Sequence, residues 1–355
     1  MSVLDRYVVR SILGAVLLVM MVFVMLGALW VLIDQQDDIG IGHYTVWSAL
    51  WYTLLNLPQQ AYELLPITVL IGALIGLGSL ARGSELTVIR STGVSVARLA
   101  GTVLMAAALL IGAELVLGEF LGPPLQRAAR EQKVFAKLSN VSFGTGSGAW
   151  VRDGDLILNV AGQSSERQFG GMLIFELGPQ HQLLALGRAR RATAGAKGKW
   201  LLTDYVESRF TDDTVSASPA AQRILESNVT AGFLGLAVQD PDQLTMGALV
   251  RLIDYYRSNA LDTREYVFAL WSRIARTVAI AFCALLAIPF ALGPLRSAGA
   301  GTRMALGLLL GIGFFLLQRL IESSTVVFAL NPVVLAWLPT ALLAAVSLGL
   351  LARAR

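Results

Sequence analysis

Long apolar runs are the feature of this sequence that most restricts its fold. Each run is long enough to cross a bilayer as a helix, which takes roughly 20 mainly apolar residues. Only 15% of the residues are charged, whereas soluble domains contain about 25%. We therefore predict six membrane-spanning helices, at residues 11–33, up to about 80, 96–121, 266–292, 303–322 and 332–351.

Prolines, aromatic residues and length refine the predicted extent and shape of the spans. The segment YTVWSALWYTLLNLP, from Tyr44, is either the outer extension of the second span or a separate interfacial helix. Pro58 and Pro66 are expected to kink the second span, and Pro289 to bend or end the fourth, because proline lacks an N–H and clashes with the preceding turn. The first run is too long for a signal-peptide core and is predicted to be an uncleaved anchor.

Basic residues in the short connections set the predicted orientation, since cytoplasmic loops carry an excess of Lys and Arg. The first connection has Asp34, Asp37 and Asp38 and neither Lys nor Arg. Arginines instead lie at both termini and in the second and fourth connections: Arg6, Arg10, Arg82, Arg90, Arg98, Arg296, Arg303, Arg353 and Arg355. The alternation predicts both termini in the cytoplasm and the long central segment in the periplasm of a bacterium with two membranes.

Residues 122–262 have the composition of a soluble domain and contain all of the lysines. Short, partly alternating apolar runs separated by Gly, Asp and Ser are typical of strands. These runs are GAWVRDGDLILNVAG, GGMLIFEL, HQLLALGRARRATA and GKWLLTDYVESRF, and the helical segments PLQRAAREQKVFAKL and MGALVRLIDYYRSNA flank them. We predict a membrane α-helical protein with three spans in 1–121, three in 263–355, and an inserted periplasmic all-β domain of sandwich or jelly-roll type.

The sequence contains no motif of a nucleotide-binding or hydrolytic enzyme. GTGSGAW has the glycines of a phosphate-binding loop but not its Lys-Ser/Thr, so a loop between strands is expected. G-x-S-x-G and H-E-x-x-H do not occur, and His43, His181 and Cys283 are too few for a triad or a zinc site. Scattered carboxylates in the insertion leave paired-carboxylate chemistry open. We expect a non-catalytic subunit without a cofactor of its own, with ATP and magnesium bound by a partner.

The segment RGSELTVIRSTGVSVARL, residues 82–99, lies in the second connection on the predicted cytoplasmic side. It predicts a short helix over about 84–93, because Ser84 suits an N-cap, Glu85 suits the positively polarised start, and Gly93 suits the end. Its apolar side is expected to consist of Leu86, Val88 and Ile89. The helix either lies on the membrane surface or docks into a groove on a partner.

Charged residues inside the predicted spans are costly, so they face a partner charge or a cavity. They are Glu114 and Glu119 in the third span, Arg273 and Arg276 in the fourth, and Arg319 and Glu322 in the fifth. One interpretation is a structural ion pair, such as Glu119 with Arg273 or Arg319, or snorkelling to the interface. The other is a basic rim that holds an anionic headgroup, since arginine donates two parallel hydrogen bonds to phosphate.

Several segments resemble one family, the LptF/LptG permeases that export lipopolysaccharide. The segments are LDRYV, YTLLNLPQ, GALIGLGSLARGSELTVIRSTGVS, WSRI and GPLRS. The SEL helix and the GPLRS loop are the most specific, and the resemblance covers the whole chain. It implies the transmembrane subunit of an ABC transporter that extracts lipopolysaccharide from the outer leaflet of the inner membrane and passes it to a periplasmic bridge.

The resemblance also implies the partners of such a subunit. They are an LptB-like ATPase dimer, an LptF-like second permease, an LptC-like single-span protein and an LptA-like periplasmic bridge. ATP hydrolysis then belongs to the ATPase chains. The alternative function is a membrane-anchored scaffold whose β domain recruits envelope proteins without transport, and it would co-purify without a nucleotide-binding subunit.

By position, the resemblance assigns roles to individual residues. Coupling to the ATPase falls to Ser84, Glu85, Leu86, Val88, Ile89, Arg90 and Gly93, with Glu85 as the main acidic contact. Candidates for contact with lipid headgroups are Arg264, Arg273, Arg303 and Arg319. Asp37 and Asp38 stand where a family member has lysines at the outer end of the first helix. Either other arginines such as Arg319 meet the phosphates of the lipid, or the lipid chemistry differs.

Overall fold

The computed structural model describes residues 3–41, 43–137, 149–153, 155–165, 168–178, 182–195, 199–211, 214–227, 241, 244–258, 261–292, 300–327 and 331–353. The chain divides into two compact units. The first lies within Met1–Gln36, Thr53–Gln126 and Thr263–Arg355, and the second within Asp37–Tyr52 and Arg127–Asp262. GPLRS, most of GTGSGAW and His181 lie outside the described residues, so the predictions made for them stay predictions.

The helices in chain order are α1 (Val3–Asp34), α2 (Val46–Arg82), α3 (Glu85–Ser91), α4 (Val96–Leu115), α5 (Gly122–Lys137), α6 (Met246–Ser258), α7 (Arg264–Leu292), α8 (Ala300–Val327) and α9 (Pro332–Arg353). A π-helical turn, Val116–Leu121, joins α4 to α5. Among the described residues, five helices have the length and apolarity to cross a membrane: α1, α2, α4 with its continuation, α7 and α9. The apolar part of α8 is shorter, Ala305–Gln318.

The long helices settle which interpretation of the aromatic segment is right. Helix α2 is continuous over 37 residues, so the segment after Tyr44 is an extension of the second span and not a separate helix. Pro58 and Pro66 lie inside α2, and α7 continues past Pro289 to end at Leu292. The predicted helical segments on both sides of the strands are confirmed as α5 and α6.

Small residues allow the helices of the first unit to pack closely, as is common between membrane helices. At Gly72 an added Cβ would lie 2.5 Å from the Cα of Val16, so α1 and α2 are in backbone contact there. One turn further along α2, the Ser11 hydroxyl donates to the carbonyl of Gly76 at 3.3 Å. Side chains of α1, α2, α3, α4 and α7 share one apolar core within the first unit.

The second unit contains a single antiparallel sheet among its described residues. Its strands are β1 (Ala149–Asp153), β2 (Leu156–Ser165), β3 (Gln168–Leu177), β4 (Leu183–Ala194), β5 (Lys199–Phe210) and β6 (Val215–Glu226), paired in sequential order. The predicted runs correspond to β1 through β5. The jelly-roll topology stays a prediction, because it requires crossover connections and the described strands pair as a meander.

Strand β6 was not predicted from the sequence. It contains Pro219, which lies opposite Val206 of β5, and proline lowers the strand signal of a segment because it cannot donate to the ladder. In the described sheet β6 pairs only with β5, so Pro219 lies on an edge strand, where proline is tolerated. One face of the sheet buries an apolar core in which Phe169 and Trp200 pack edge to face.

Candidate functional site

Helix α3 connects α2 to α4 where the sequence predicted a short helix. Ser84 holds the N-cap position with φ 60°, and its side chain makes no capping hydrogen bond. The predicted capping role of Ser84 is therefore wrong, because an N-cap side chain reaches the first amides from an extended backbone. Ser95 instead caps α4, accepting from the Arg98 amide at 3.2 Å. Gly93, with φ 91°, follows the end of α3 as predicted.

The apolar residues of α3 do not all lie on one side. Leu86 and Ile89 are buried, at 2% and 8% exposure, and Leu86 belongs to the core of the first unit. Val88 is 60% exposed, so the prediction that it shares one apolar side with Leu86 and Ile89 is wrong. Val88 is two positions after Leu86, so the two side chains point to opposite sides of the helix. It is three positions after Glu85, so these two side chains share one face.

The exposed face of α3 therefore presents a carboxylate and a valine side by side. The Glu85 carboxylate interacts with the hydroxyl of Tyr7 on α1, which orients it near the start of α3. An open cavity of about 340 Å³ lies on the opposite side of α3 from Glu85 and Val88, lined by Ala81, Leu86, Thr87, Arg90, Ser91, Ala291 and Leu292. A short helix anchored by its buried side, with a cavity next to it, can accept a protruding side chain of another protein.

A second cluster of polar residues lies inside the first unit, around Arg273 of α7. This arginine is 5% exposed, and its Nη1 lies 3.5 Å from Oε2 of Glu119. Its Nη2 donates to the carbonyl of Gly118 at 3.4 Å. The structure thus contains the Glu119–Arg273 ion pair that the sequence offered as the structural interpretation of these charges.

The π-helical turn gives Tyr62 of α2 its place in this cluster. A Cβ at Gly118 would lie 2.5 Å from the Tyr62 ring, so only glycine admits the ring there. The guanidinium groups of Arg273 and Arg276 both lie 5.3 Å from the centre of this ring, within the range of cation–π attraction. Tyr62 was not predicted from the sequence. The feature that could have indicated it is the polar run QQAYE inside an otherwise apolar helix.

Glu114 completes the cluster from α4. It is fully buried, and neither carboxylate oxygen has a hydrogen-bond partner among the described residues. The positive charges of Arg276 and Arg273 lie close enough to act on it. With Glu119, the cluster holds two acidic and two basic side chains. The proximity of opposite charges makes ionisable side chains tolerable in a membrane-spanning unit.

The other arginines predicted to contact headgroups are not brought together by the described contacts. Arg264 begins α7 and is exposed. Arg303 and Arg319 lie on α8, and their side chains are outside the described residues. Their proposed contact with a headgroup stays a prediction, as does the ATPase contact of the α3 residues.

Asp38, which follows α1, belongs to a small cluster in the second unit. Asp38 pairs with Lys133 of α5 at 2.6 Å, and the Lys133 ammonium lies 5.2 Å from the centre of the Tyr52 ring. Burial, followed by the influence of Tyr52 and Asp38, raises the pKa of Tyr44 to about 12, so its hydroxyl stays protonated at neutral pH. Asp38 is therefore partly neutralised by a lysine that the linear sequence places far away.

No group of three or more His, Cys, Asp or Glu side chains among the described residues is arranged to hold a metal ion. Cys283 is buried and unbonded.

Comparison with known proteins gives matches along both units. The family model described as "Lipopolysaccharide export system permease LptF/LptG" matches residues 6–353. The chain is similar to the lipopolysaccharide export system permease protein LptG of Escherichia coli K12, at 30% identity over 99% of this chain and 98% of the relative. It is also similar to the LptG protein of Haemophilus influenzae Rd, at 28% identity over 100% of this chain and 99% of the relative.

These matches confirm the family resemblance drawn from the sequence segments. The segments DRY and GPLRS also favoured the LptG member over LptF, and both relatives carry the LptG name. The alignment covers the insertion as well as the spans, so the similarity concerns the whole architecture and not one shared motif.

Proposed function

Because the chain belongs to the LptF/LptG family of lipopolysaccharide export permeases, we propose that it is the transmembrane subunit of an ABC transporter driven by a separate ATPase. It extracts lipopolysaccharide from the outer leaflet of the bacterial inner membrane and passes it to a periplasmic bridge. The long apolar helices support a multi-pass inner-membrane location. In this proposal α8 is the fifth of six spans, both termini are cytoplasmic and the β domain is periplasmic.

The observation that carries the coupling part of the proposal is the two-sided character of α3. Leu86 and Ile89 fix the helix to the core of the transmembrane unit, whereas Glu85 and Val88 face outward. A displacement of the exposed face is thereby transmitted to α2 and α4, because a packed core resists local deformation. We assign this face to an LptB-like ATPase dimer beneath the membrane, with Ser84, Arg90 and Gly93 completing the contact.

The lipid path follows from the cost of moving acyl chains. Each CH₂ transferred from an apolar environment to water costs about 0.8 kcal/mol, so several chains in water at once would cost tens of kcal/mol. A continuous apolar path avoids this cost. We propose that this chain and an LptF-like permease enclose its membrane part, and that the β domain supplies its periplasmic part. LptC-like and LptA-like proteins then receive the lipid.

The described contacts set Arg273 apart from the other candidate arginines. Arg264, Arg303 and Arg319 are the proposed contacts for the phosphates of the lipid. Arg273 is buried against Glu119, Gly118 and Tyr62, and these contacts support a structural role for it. This assignment favours the ion pair over the headgroup interpretation at that position.

The test of the coupling assignment compares exposed valines on two helices. Val88→Asp on α3 and Glu85→Lys should each reduce the amount of ATPase that co-purifies by tenfold or more, since a buried charge or a reversed one opposes docking. The matched control is Val250→Asp on α6, where the valine is 54% exposed. Tyr7→Phe isolates the contribution of the hydroxyl that orients Glu85.

Two readouts decide between the transporter and the scaffold. The first is the ATPase recovered with the affinity-purified chain, and the second is ATP-dependent release of lipopolysaccharide from proteoliposomes to a soluble acceptor. Normal ATPase recovery and normal release by the Glu85→Lys variant would show that the docking assignment is wrong. A wild-type chain that recovers no nucleotide-binding subunit and releases no lipid would support the scaffold instead.

A further inference from the structure

An apolar groove of about 590 Å³ runs along α1 on the side of α4, within the first unit. Its volume lies in the range of sites that bury small ligands, about 300–1,000 Å³. The lining is apolar except for two arginines at one end: Arg6, Val9, Arg10, Leu13, Gly14, Val16, Leu17, Met20, Ala61, Leu65, Leu110, Ala113 and Leu117. We propose that it binds one acyl chain of an anionic phospholipid, whose phosphate contacts Arg6 and Arg10.

The dimensions of the groove match one leaflet of a bilayer. Arg6 and Arg10 are one helical turn apart and share a face of α1. From Arg10 to Met20 the helix rises by about 15 Å at 1.5 Å per residue. The hydrocarbon core of a bilayer is about 30 Å thick, so the apolar lining ends near the midplane when the arginines lie at its edge. A single chain from the leaflet nearest the arginines therefore fits the groove.

The charges at the mouth of the groove select an anionic headgroup. Both arginines are exposed, and no ion pair joins either of them to a carboxylate in the described part of the chain. The neighbouring Asp5 is turned towards α4, where the Thr102 hydroxyl donates to it at 2.9 Å. Two guanidinium groups one turn apart can donate several charge-assisted hydrogen bonds to a phosphate.

This ligand differs from the lipid of the proposed function in both place and chemistry. In the proposed orientation, Arg6 and Arg10 lie in the cytoplasmic half of the membrane, opposite the leaflet from which lipopolysaccharide is taken. The bound phospholipid is a resident of the transporter and not its cargo. A helix of a partner protein is the competing occupant, but it would bury both guanidinium groups, whereas a phospholipid pairs them with phosphate.

The experiment measures lipids retained by the intact complex, using native mass spectrometry after reconstitution with equal phosphatidylglycerol and phosphatidylcholine. Gly14→Phe fills the groove without disturbing the fold, because a Cβ at Gly14 meets nothing within 4 Å. Gly349→Phe on α9 is the matched control, with equally open surroundings. We expect wild type and Gly349→Phe to retain phosphatidylglycerol with at least a tenfold preference, and Gly14→Phe to lose at least one bound lipid.

A second pair of variants tests the charges separately from the groove. Arg6→Gln combined with Arg10→Gln should abolish the tenfold preference while leaving binding of phosphatidylcholine, and Arg353→Gln should change neither. Equal retention by wild type and Gly14→Phe would overturn the proposal, as would an unchanged preference in the double arginine variant. Retention by the isolated chain but not by the complex would also overturn it, because a partner helix would then occupy the groove.

Discussion

The pairing of Arg273 with Glu119 predicts a specific pattern of stabilities in a double-mutant cycle. The Arg273 guanidinium lies 3.5 Å from the Glu119 carboxylate. Replacing Glu119 by Gln removes this carboxylate from a guanidinium that is 5% exposed. Replacing Arg273 by Met keeps the volume similar but removes the guanidinium from Glu119. Changing both removes the ion pair as a whole.

The expected magnitudes follow from the exposure of each partner. A charge left unpaired inside a membrane span costs about 3 kcal/mol, so Glu119→Gln should lower the free energy of unfolding by about that amount. Arg273→Met should cost about 2 kcal/mol, because the Glu119 side chain is 31% exposed and hydrates more readily. The double variant should be about 2 kcal/mol more stable than the sum of the two losses predicts.

The assay is equilibrium unfolding of the purified chain in mixed micelles of a mild detergent and sodium dodecyl sulfate. Arg257→Met on the exposed side of α6 serves as the control and should leave the free energy within about 0.5 kcal/mol of wild type. Additive losses in the double variant would refute the ion pair as a stabilising unit. Full stability of both single variants, with weakened lipopolysaccharide binding in Arg273→Met alone, would instead restore the headgroup interpretation.

Two further pairs of substitutions, one pair in each unit, test packing by the same unfolding assay. Gly72→Ala should lower the free energy of unfolding by about 1–3 kcal/mol, because its Cβ would lie 2.5 Å from the Cα of Val16. The control is Gly112→Ala, whose Cβ would meet nothing within 4 Å, and it should be neutral or slightly stabilising. Equal effects of the two would contradict the close contact of α1 with α2. Trp200→Ala should cost about 3–5 kcal/mol in the sheet, whereas Trp150→Ala, at a residue 56% exposed, should cost much less. Comparable losses at both tryptophans would show that the buried face of the sheet is misassigned.

The sequence predicted the helices and most strands because their signals are local. A run of apolar residues as long as the bilayer is thick specifies a span whatever its neighbours are, and alternation specifies a strand with one buried face. Strand β6 was missed for the same reason, since Pro219 weakens the local signal and only pairing with β5 makes this segment a strand. Local hydropathy also placed the start of the first span later than Val3, because the polar first turns of α1 carry no apolar signal.

The candidate sites were predicted only as far as residue types reveal them. The position of the short helix and its end before Gly93 follow from turn chemistry. The backbone of Ser84 does not, because its left-handed conformation is imposed by the turn between α2 and α3. The sequence could not separate Val88 from Leu86, since both are apolar and only the core of the first unit decides which of them is covered.

By itself the sequence determined the membrane class of the chain, the inserted β domain and the family to which it belongs, because length, period and motif are properties of neighbouring residues. The tertiary structure alone decided that Glu119 pairs with Arg273, that Tyr62 lies against two arginines, and that Arg6 and Arg10 stand at the end of an apolar groove. The physical reason is that charge pairing and cavities depend on distances between helices, and residues far apart in the sequence set those distances.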